Sequence, residues 1–584
     1  MGSLSSIIQK ALLSKGYFPK ELPPVFTTSD FGHCVNPILS DWESGGIFKI
    51  KSAKEFSKVD GKRLRGKSGF SKIPNAEPET ISKPKKIYER RNIHIVHPVP
   101  QALLVREIAE NWHTIQKWLS RQAYSEDEVI ISDNYDRAIK GINFQLHRAK
   151  TNFIEATADW LVKTDITRFY PSLYTHSLSW AAYGKEAVKN DLRKYDGSLA
   201  DRLDVLVRSC NRNQTVGIPI GPETSRILAE IVSSRIDHDF SNYVQKVLDQ
   251  SVPKRRKLFD KNTVDRLQDD WTVGTSSLER AENILSIITK CYREYGLEIN
   301  GSKTSVTHLM KSEGISWKSE IAAFLSHRQG VLHGQRLVEF LALCLRLQLE
   351  VPNAPVLNYS LSIVEGRRFE IDDLHSVETF LLKAAAIAPN SLDRICRIVL
   401  NLNHETGKLS KGRFVARFIE LAERHIENGS LYEVIWLLYT VRGLRQPFLS
   451  KRIVEFSEYV QSSALRLLLL DMDQLRLCIK SLPKKTWESE ISADRCLKDW
   501  TWLYSYESVR KGWLHAPASF LNSPFLKPMH TRNVNFYNPR RNIARSKSVK
   551  KIAASIRKAD KIQVTRLVSQ LRGIEHIFDF DFEY

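Results

Sequence analysis

Two acidic stretches of the sequence point to a common site. Residues 163–170 read Lys-Thr-Asp-Ile-Thr-Arg-Phe-Tyr, and residues 266–271 read Arg-Leu-Gln-Asp-Asp-Trp. The first places Asp165 at the end of an apolar strand, and the second places Asp269 and Asp270 in a predicted β-hairpin turn. Because neighbouring strand residues face opposite ways, we expect only one of the two turn carboxylates to point fully at a shared site.

Three carboxylates in such a site suit the chemistry of phosphoryl transfer. Transfer to a 3′-hydroxyl uses two divalent cations, which activate the attacking oxygen and stabilise the leaving pyrophosphate. Mg²⁺ keeps several waters and takes only one or two protein carboxylates, which these aspartates can supply. Each acidic stretch alone is more often a solvated turn. The prediction therefore depends on the order and spacing of both acidic stretches relative to two further segments.

The further segments are a glycine-containing loop and a lysine-bearing turn. Residues 214–225 read Gln-Thr-Val-Gly-Ile-Pro-Ile-Gly-Pro-Glu-Thr-Ser and run into a predicted helix. Glycines such as Gly221 allow the backbone to approach a nucleotide or template strand, and the helix N-terminus favours phosphate. Residues 295–304 read Tyr-Gly-Leu-Glu-Ile-Asn-Gly-Ser-Lys-Thr and deliver Lys303.

In order and spacing, these four segments resemble motifs A to D of the reverse transcriptase palm. The acidic strand is similar to motif A, the glycine-containing loop to motif B, the Gln-Asp-Asp turn to motif C and the lysine-bearing turn to motif D. Residues 91–95, Arg-Asn-Ile-His-Ile, resemble the fingers strand whose arginine contacts the incoming triphosphate. The resemblance covers roughly residues 85–310.

The resemblance implies that Asp165, Asp269 and Asp270 are the catalytic carboxylates. With the carbonyl of Ile166 they would hold two Mg²⁺ ions, with Mn²⁺ as the alternative metal.

The resemblance also implies a nucleotide pocket. Tyr170 matches the steric gate that rejects a ribose 2′-hydroxyl, and Lys303 lies near the leaving pyrophosphate. Arg91 and Lys86 would hold the triphosphate, with Gly221 also at the substrate. Lys303 as a plain surface lysine and Arg91 as a sheet-edge ion pair are the alternatives.

Two positions depart from the family pattern. The motif C-like turn has Gln268 and no tyrosine, and Ile220 occupies the motif B position where glutamine is commonest. Both would lie beside the templating base pair and the primer terminus. They therefore bear on template copying rather than on metal chemistry.

Residues 169–177 and 217–222 look like those of bacterial abortive-infection and other defence-associated reverse transcriptases. Members of that group join the polymerase core to a C-terminal helical-repeat domain. The predicted fold is therefore α+β, with right-hand polymerase fingers and palm followed by an all-α, HEAT-like domain. The predicted divisions are a basic N-terminal region (1–84), fingers and palm (85–330), a helical-repeat or thumb-like domain (331–525) and a basic C-terminal segment (526–584).

Local patterns add detail at both ends of the chain. Residues 1–80 are rich in Gly, Pro, Ser and Lys and are predicted to be irregular. One helix is predicted to end at Asn428-Gly429, and Ser430 with Glu433 predicts a capping box for the next.

Charge is concentrated in two blocks. The 584 residues include 87 Lys and Arg against 66 Asp and Glu, a formal net charge of +21. Residues 49–91 and 532–561 each carry a local excess of +9, which predicts a polyanionic partner. Phe536 and Tyr537 in the second block suit base stacking.

The remaining composition limits the class of protein. Seven cysteines stand singly without a Cys-x-x-Cys pair, so a zinc site or disulfide framework is not expected. No uncharged apolar run approaches the roughly 18 residues needed to cross a bilayer. We expect a protein of a reducing cytoplasm without a membrane partner, and the family resemblance implies that the cytoplasm is bacterial.

Three functions compete. The first is a DNA polymerase in antiphage defence that adds dNTPs, in some relatives without a template and primed by a protein tyrosine; Tyr537 and Tyr584 are candidates. The second is RNA-templated copying of a dedicated noncoding RNA. The third is an inactive fold that serves as an RNA-binding scaffold, which three costly carboxylates disfavour. Expected partners are dNTPs, a noncoding RNA or DNA product, and a further copy of the chain or a companion defence protein.

Overall fold

The computed structural model describes residues 3–50, 58–59, 62–63, 70–86, 89–248, 263–309, 317–326, 332–365 and 371–542. Tyr584 and most of the second basic block lie outside these residues.

The described strands are short. They are β1 (Lys49–Ile50), β2 (Lys58–Val59), β3 (Lys62–Arg63), β4 (Phe70–Lys72), β5 (Glu79–Pro84), β6 (Arg90–Ile95), β7 (Trp160–Thr164), β8 (Val264–Leu267), β9 (Asp270–Thr275) and β10 (Ser305–His308).

Helices make up most of the rest. They are α1 (Leu4–Ser14), α2 (Ser29–Ser44), α3 (Pro98–Glu110), α4 (Trp112–Leu119), α5 (Phe144–Thr157), α6 (Phe169–Ser172), α7 (Ser177–Tyr183), α8 (Lys185–Asn190), α9 (Leu199–Ser209), α10 (Glu223–Leu248), α11 (Leu278–Glu294), α12 (Trp317–Ser326), α13 (Gly334–Glu350), α14 (Val356–Glu365), α15 (Leu374–Ile387), α16 (Leu392–Thr406), α17 (Lys411–Glu427), α18 (Leu431–Leu444), α19 (Lys451–Tyr459), α20 (Ser463–Gln474), α21 (Lys484–Ser489), α22 (Ala493–Cys496), α23 (Thr501–Arg510) and α24 (Lys527–His530).

A four-stranded antiparallel sheet carries the acidic residues. Its strand order is β10-β7-β9-β8, and Lys163 of β7 is opposite Thr272 of β9 and Ser305 of β10. Helix α5 packs closely on this sheet, because a Cβ at Gly274 would lie only 2.7 Å from Ile154 Cγ2. Strands β7 and β8 are both antiparallel to β9, so they run in the same direction and finish at the same end of the sheet. The two acidic stretches, which follow these strands, therefore lie at that end.

The fingers strand β6 forms an antiparallel hairpin with β5. Ile81 of β5 is opposite Ile93 of β6, and both side chains are fully buried. The hairpin packs against α18, so the fingers and the C-terminal helices share one core. The mixed content of sheet and helix agrees with the predicted α+β, reverse transcriptase-like fold.

The prediction that residues 1–80 are irregular is wrong for α1 and α2. Leu12 of α1 and Phe31 and Trp42 of α2 are fully buried, and both helices pack against α3. Their apolar residues recur at helical spacing, and the burial of that face outweighs the Gly, Pro and Ser content of the region.

Residues 531–542 return to this N-terminal core. Phe536 and Tyr537 are fully buried, and the Phe536 ring packs against Phe31 and Trp502. Tyr537 donates its hydroxyl hydrogen to Asp471 at 2.7 Å. The prediction that these rings stack on bases is therefore wrong, and so is Tyr537 as a priming residue, because neither ring reaches solvent.

From α13 onward the described chain is helical. The predicted end of α17 is confirmed, since Asn428 caps it and Gly429 has a left-handed φ of 64°. The predicted capping box at Ser430 is wrong: its side chain makes no cap hydrogen bond, and the carboxylate of Glu433 binds Arg90 of the fingers instead. The HEAT-like arrangement stays a prediction. No described helix is long and apolar enough to cross a membrane.

Candidate active site

Asp165 directly follows β7 and is buried. Its carbonyl accepts a hydrogen bond from Asn300 N at 2.7 Å, and Ile166 forms an antiparallel bridge with Ile299. The hydroxyls of Thr164, which precedes Asp165, and Thr304, which follows Lys303, form a hydrogen bond at 2.8 Å. The turn that bears Lys303 is therefore held directly against the Asp165 strand.

Asp269 lies in a two-residue turn between β8 and β9. Leu267 is opposite Asp270, which leaves Gln268 and Asp269 at the tip. Gln268 adopts a left-handed φ of 55°, an uncommon conformation for a residue other than glycine. The structure confirms a hairpin here, with Asp269 at its tip and Asp270 at the start of β9.

The three carboxylates form one electrostatic cluster. Burial raises the pKa of Asp269 well above its ordinary range, and the charges of Asp270 and Asp165 raise it further. Protonated Asp269 is placed to donate a hydrogen bond to Asp165. Burial and the charge of Asp165 likewise raise the pKa of Asp270 to about 6. The fold therefore holds these carboxylates close together, which makes their ionised forms less stable than they are in water.

Lys303 places its ammonium group against this cluster. Its Nζ donates a hydrogen bond to the Asp165 carboxylate, and the two form an ion pair. Burial alone would lower the pKa of Lys303, but the hydrogen bond to Asp165 and the charges of Asp270 and Asp269 raise it. Lys303 is thus half-buried and paired with Asp165 at the edge of the acidic site.

Tyr170 lies near Asp269, and Arg91 lies near Tyr170. Burial raises the pKa of the Tyr170 hydroxyl, the charge of Asp269 raises it further, and the cations Arg226 and Arg91 oppose both effects. The Tyr170 carbonyl accepts a hydrogen bond from Ile218 N at 3.0 Å. Two candidate nucleotide contacts are therefore brought to the same place.

The glycine-containing loop is bound to the fingers through its main chain. His94 N donates to the Ile220 carbonyl at 2.7 Å, and Ile220 N donates to His94 Nδ1 at 3.1 Å. Gly221 has a φ of 135°, and a Cβ there would lie 2.6 Å from Pro19 Cγ and 2.9 Å from the His94 carbonyl. Gly221 is therefore required for packing within the chain, whatever its contact with substrate.

Lys85 and Lys86 both pair with Glu89, but only the charge of Lys85 is seen to act on the acids. Lys86 forms an ion pair with Glu89 at 3.8 Å, while Lys85 forms one with Glu89 at 3.0 Å and also lowers the pKa of Asp270. Lys85 is thus the lysine of this pair that acts on the cluster. The sequence signal for it is weak, since the motif does not distinguish two adjacent lysines.

Arg266 is a second residue that the motifs do not indicate. Its fully buried guanidinium donates to Asp237 at 2.7 Å, to Glu230 at 2.6 Å and to the Gln268 carbonyl at 2.7 Å. Asp237 and Glu230 belong to α10, so the arginine fixes the acidic hairpin to that helix. The available sequence signal was weak, because Arg266 stands next to a second charged residue, Asp265, in the four-residue strand β8.

The donor set fits a hard divalent cation, since it consists of the carboxylate oxygens of Asp165, Asp269 and Asp270. Within the described ranges, no group of three or more His, Cys, Asp or Glu side chains is already arranged to hold a metal ion. The ammonium of Lys303 instead supplies positive charge to Asp165. A cation would therefore bind a cluster whose excess negative charge is only partly balanced.

A comparison with known protein families matches the part of the chain that contains this site. The family model described as reverse transcriptase (RNA-dependent DNA polymerase) matches residues 110–343, which contain the acids and Lys303. No curated protein matches the chain.

Two solved telomerase structures, each in complex with the TWJ fragment of telomeric RNA, show a distant likeness. The Candida albicans protein is 14% identical with a TM-score of 0.25, over 68% of this chain and 65% of its own, which is just under two thirds. The Candida tropicalis protein is 12% identical with a TM-score of 0.26, over 75% of this chain and 68% of its own. The family match therefore identifies residues 110–343 as a reverse transcriptase-like domain.

Proposed function

We propose that this enzyme is a DNA polymerase of bacterial antiphage defence, which joins dNTPs to a 3′-hydroxyl or a protein hydroxyl. The contact between Asp165 and Asp269, with Asp270 beside them, carries the proposal. Two ionised carboxylates this close repel each other, which destabilises the folded chain unless a cation binds between them. Such an arrangement is typical of a site for metal-dependent chemistry.

Asp165 and Asp269 are the proposed metal ligands, with the Ile166 carbonyl assisting and Asp270 near the primer end. Reverse transcriptases generally use divalent metal ions, and Mg²⁺ is the proposed ion, with Mn²⁺ as the alternative. When bound, two such ions would activate the attacking oxygen and neutralise charge on the leaving pyrophosphate. The raised pKa of Lys303 keeps it protonated, so it can donate a proton or a hydrogen bond to that pyrophosphate.

The nucleotide pocket is proposed from the groups around these acids. Tyr170 would exclude a ribose 2′-hydroxyl, which favours dNTPs over NTPs. Arg91, Lys85 and Lys86 would bind the triphosphate from the fingers hairpin. Gly221 would keep the loop close to the base pair through its packing against His94.

The primer and the template distinguish the two enzymatic hypotheses. Template-independent, protein-primed synthesis needs an accessible hydroxyl; the buried Tyr537 does not provide one, and Tyr584 lies outside the described residues. Copying of a dedicated noncoding RNA needs a defined template instead. The two basic blocks suit either a bound RNA or a nucleic-acid product.

The test is incubation of the purified full chain with Mg²⁺ and each labelled dNTP in turn, first without a template and then with cellular RNA. We expect incorporation by the native chain and none by Asp269→Asn. Label that stays on the denatured protein would show protein priming, and product sequence complementary to one RNA would show templated synthesis. Incorporation that survives Asp269→Asn, or a native chain inactive with both Mg²⁺ and Mn²⁺, would overturn the proposal.

The defence role rests on the resemblance of residues 169–177 and 217–222 to defence-associated enzymes. Its test is plaque formation by a panel of phages on bacteria that express the native chain or Asp269→Asn. Protection by the native chain alone would support the role. Equal plaque numbers across the panel would remove it and leave the polymerase proposal standing.

A further inference from the structure

Two neighbouring helices, α18 and α20, end at one exposed surface. The chain after α18 and the chain after α20 meet in a parallel bridge between Phe448 and Cys478. Phe448 N donates to the Leu477 carbonyl at 2.9 Å, and Ile479 N donates to the Phe448 carbonyl at 3.1 Å. This short pairing fixes the two segments side by side.

The outward face of this pairing is apolar. Phe448 is buried on the inner face, so the next residue, Leu449, points the other way, as does Ile479 after Cys478. Leu449 and Ile479 are each 63% exposed. They form an apolar centre of two neighbouring side chains that nothing in the described part of the chain covers.

Positive charge surrounds that centre. Residues 445–452 and 475–485 contain seven basic residues and no acidic one. Four of these side chains are exposed and make no ion pair or side-chain hydrogen bond within the described ranges: Arg445, Arg476, Lys480 and Lys485. The surface therefore fits a ligand that combines apolar groups with negative charge.

Two of these arginines occupy costly backbone positions. Arg445 and Arg476 follow α18 and α20 with left-handed φ values of 54° and 56°. Glycine occupies the equivalent left-handed position after α16 and α17, at Gly407 and Gly429. Left-handed backbone costs a residue other than glycine roughly 1 kcal/mol, so both arginines are held in place at a local conformational cost.

The end of the sequence has the complementary chemistry. Residues 577–584 read Ile-Phe-Asp-Phe-Asp-Phe-Glu-Tyr, in which aromatic and acidic residues alternate. An extended peptide of this order presents its aromatic rings on one side and its carboxylates on the other. The rings match the Leu449 and Ile479 centre, and the carboxylates match the surrounding cations.

The described chain also approaches this surface before it ends at Asn542. Arg442, in the last turn of α18, donates to the Pro539 carbonyl at 2.7 Å. Thirty-four residues separate Asn542 from Ile577. At about 3.3 Å per residue they can span on the order of 110 Å, far more than the distance back to the same helix end requires.

We propose that residues 577–584 bind, within the same chain, to the surface formed by Leu449, Ile479 and the cations of residues 445–452 and 475–485. The proposal is independent of polymerase activity.

The test is site-specific photocrosslinking in the full chain. Phe580 is replaced by p-benzoylphenylalanine, the purified protein is irradiated, and the linked peptides are identified by mass spectrometry. We expect a single-chain adduct to residues 445–452 or 475–485. An adduct that joins two chains, or one elsewhere on the surface, would overturn the proposal.

Substitutions of the surface test its chemistry. Leu449→Glu with Ile479→Glu should reduce the adduct yield about tenfold, the change expected for a loss of roughly 1.4 kcal/mol. The control is Leu349→Glu, at a residue 68% exposed on α13, which should leave the yield unchanged.

Charge exchange keeps the test valid if an apolar variant misfolds. Asp579→Lys with Asp581→Lys should lower the yield, and adding Arg476→Glu with Lys480→Glu should restore it. A yield unaffected by the first pair, or not restored by the second, would contradict the charge pairing.

Discussion

Arg266 Nη1 donates a hydrogen bond to the main-chain carbonyl of Gln268 at 2.7 Å. The arginine lies on β8 and Gln268 begins the turn that carries Asp269, so one side chain supports the turn at its strained residue. Its remaining hydrogen bonds go to Asp237 and Glu230 on α10. The position of Asp269 therefore depends on a buried ion pair with a helix that begins at the glycine-containing loop.

Substitution of Arg266 should separate stability from positioning. Arg266→Gln leaves the fully buried Asp237 without its cation, so we expect the free energy of unfolding to fall by about 3–5 kcal/mol in urea titrations. Arg266→Lys keeps the charge and should fold, but it loses the hydrogen bonds to either α10 or Gln268, so kcat should fall with little change in KM.

The control for this prediction is Arg346→Gln. Arg346 is exposed and pairs with Glu320 at 3.0 Å and Glu350 at 2.8 Å, so its loss should change stability by less than about 1 kcal/mol. Native kcat in Arg266→Lys would show that the arginine does not position the turn.

Lys303 sets the pH range in which the acids are ionised. Its positive charge lowers the pKa of Asp270, which burial and Asp165 hold at about 6. Lys303→Gln removes that charge, so the pKa of Asp270 should rise and the acidic limb of the pH–activity profile should move to higher pH, by about one unit.

The matched variant for Lys303 is Lys163→Gln on the adjoining strand β7. Lys163 pairs with Glu155 at 3.5 Å, away from the acids, and its loss should leave the limb in place. A Lys303→Gln enzyme with lower kcat but an unmoved limb would indicate that the lysine acts on the leaving group alone.

The sequence predicted the acid-bearing strand ends well because the signal there is local. A carboxylate after an apolar strand, and another in a tight turn, keep their positions whatever surrounds them. Lys303 lies against Asp165 because the turn that bears it pairs directly with residues 165–167, while its role toward the pyrophosphate stays a prediction.

Contacts between distant residues were not predictable. Glu433 looked like a capping residue because Ser430 precedes it by three positions, yet its carboxylate is bound by Arg90, which is 343 residues away along the chain. Phe536 and Tyr537 looked exposed because the residues after them are basic. Both rings are buried against the N-terminal part of the chain. Its helices were not predicted, because residues 1–80 are rich in Gly, Pro, Ser and Lys.

Asp270 should cost the folded state stability at neutral pH. Its pKa is raised in the folded chain to about 6, so the unfolded chain binds its proton less tightly than the folded chain does. The penalty is absent well below the unfolded pKa of about 3.9, grows as the pH rises, and is complete above about 6. Asp270→Asn removes it.

We therefore expect Asp270→Asn to raise the free energy of unfolding at pH 7, in the presence of EDTA, by about 1–2 kcal/mol. The gain should vanish as the pH falls towards 4, and dNTP incorporation should be lost. Asp159→Asn, at an exposed residue before β7, is the control and should be neutral at both pH values. A gain that persists at pH 4 would assign the effect to packing rather than to charge.

The C-terminal helices brace the fingers strand that carries Arg91. Arg90 Nη1 and Nη2 donate to the two carboxylate oxygens of Glu433 at 2.8 Å each, and Glu433 is completely buried. Glu79 of β5 accepts further hydrogen bonds from Ser463 N and Ala464 N at the start of α20. The hairpin is thus fixed to two C-terminal helices.

Glu433→Gln should loosen the fingers hairpin without touching the acids. We expect the KM for dNTP to rise about tenfold, equivalent to roughly 1.4 kcal/mol, with kcat within about twofold of native. Amide hydrogen exchange in residues 79–95 should become faster, a readout that does not depend on activity. Glu365→Gln, which affects the Arg394 pair at 3.5 Å among the C-terminal helices, should alter neither quantity. Faster exchange without a change in KM would show that the hairpin moves but does not hold the nucleotide.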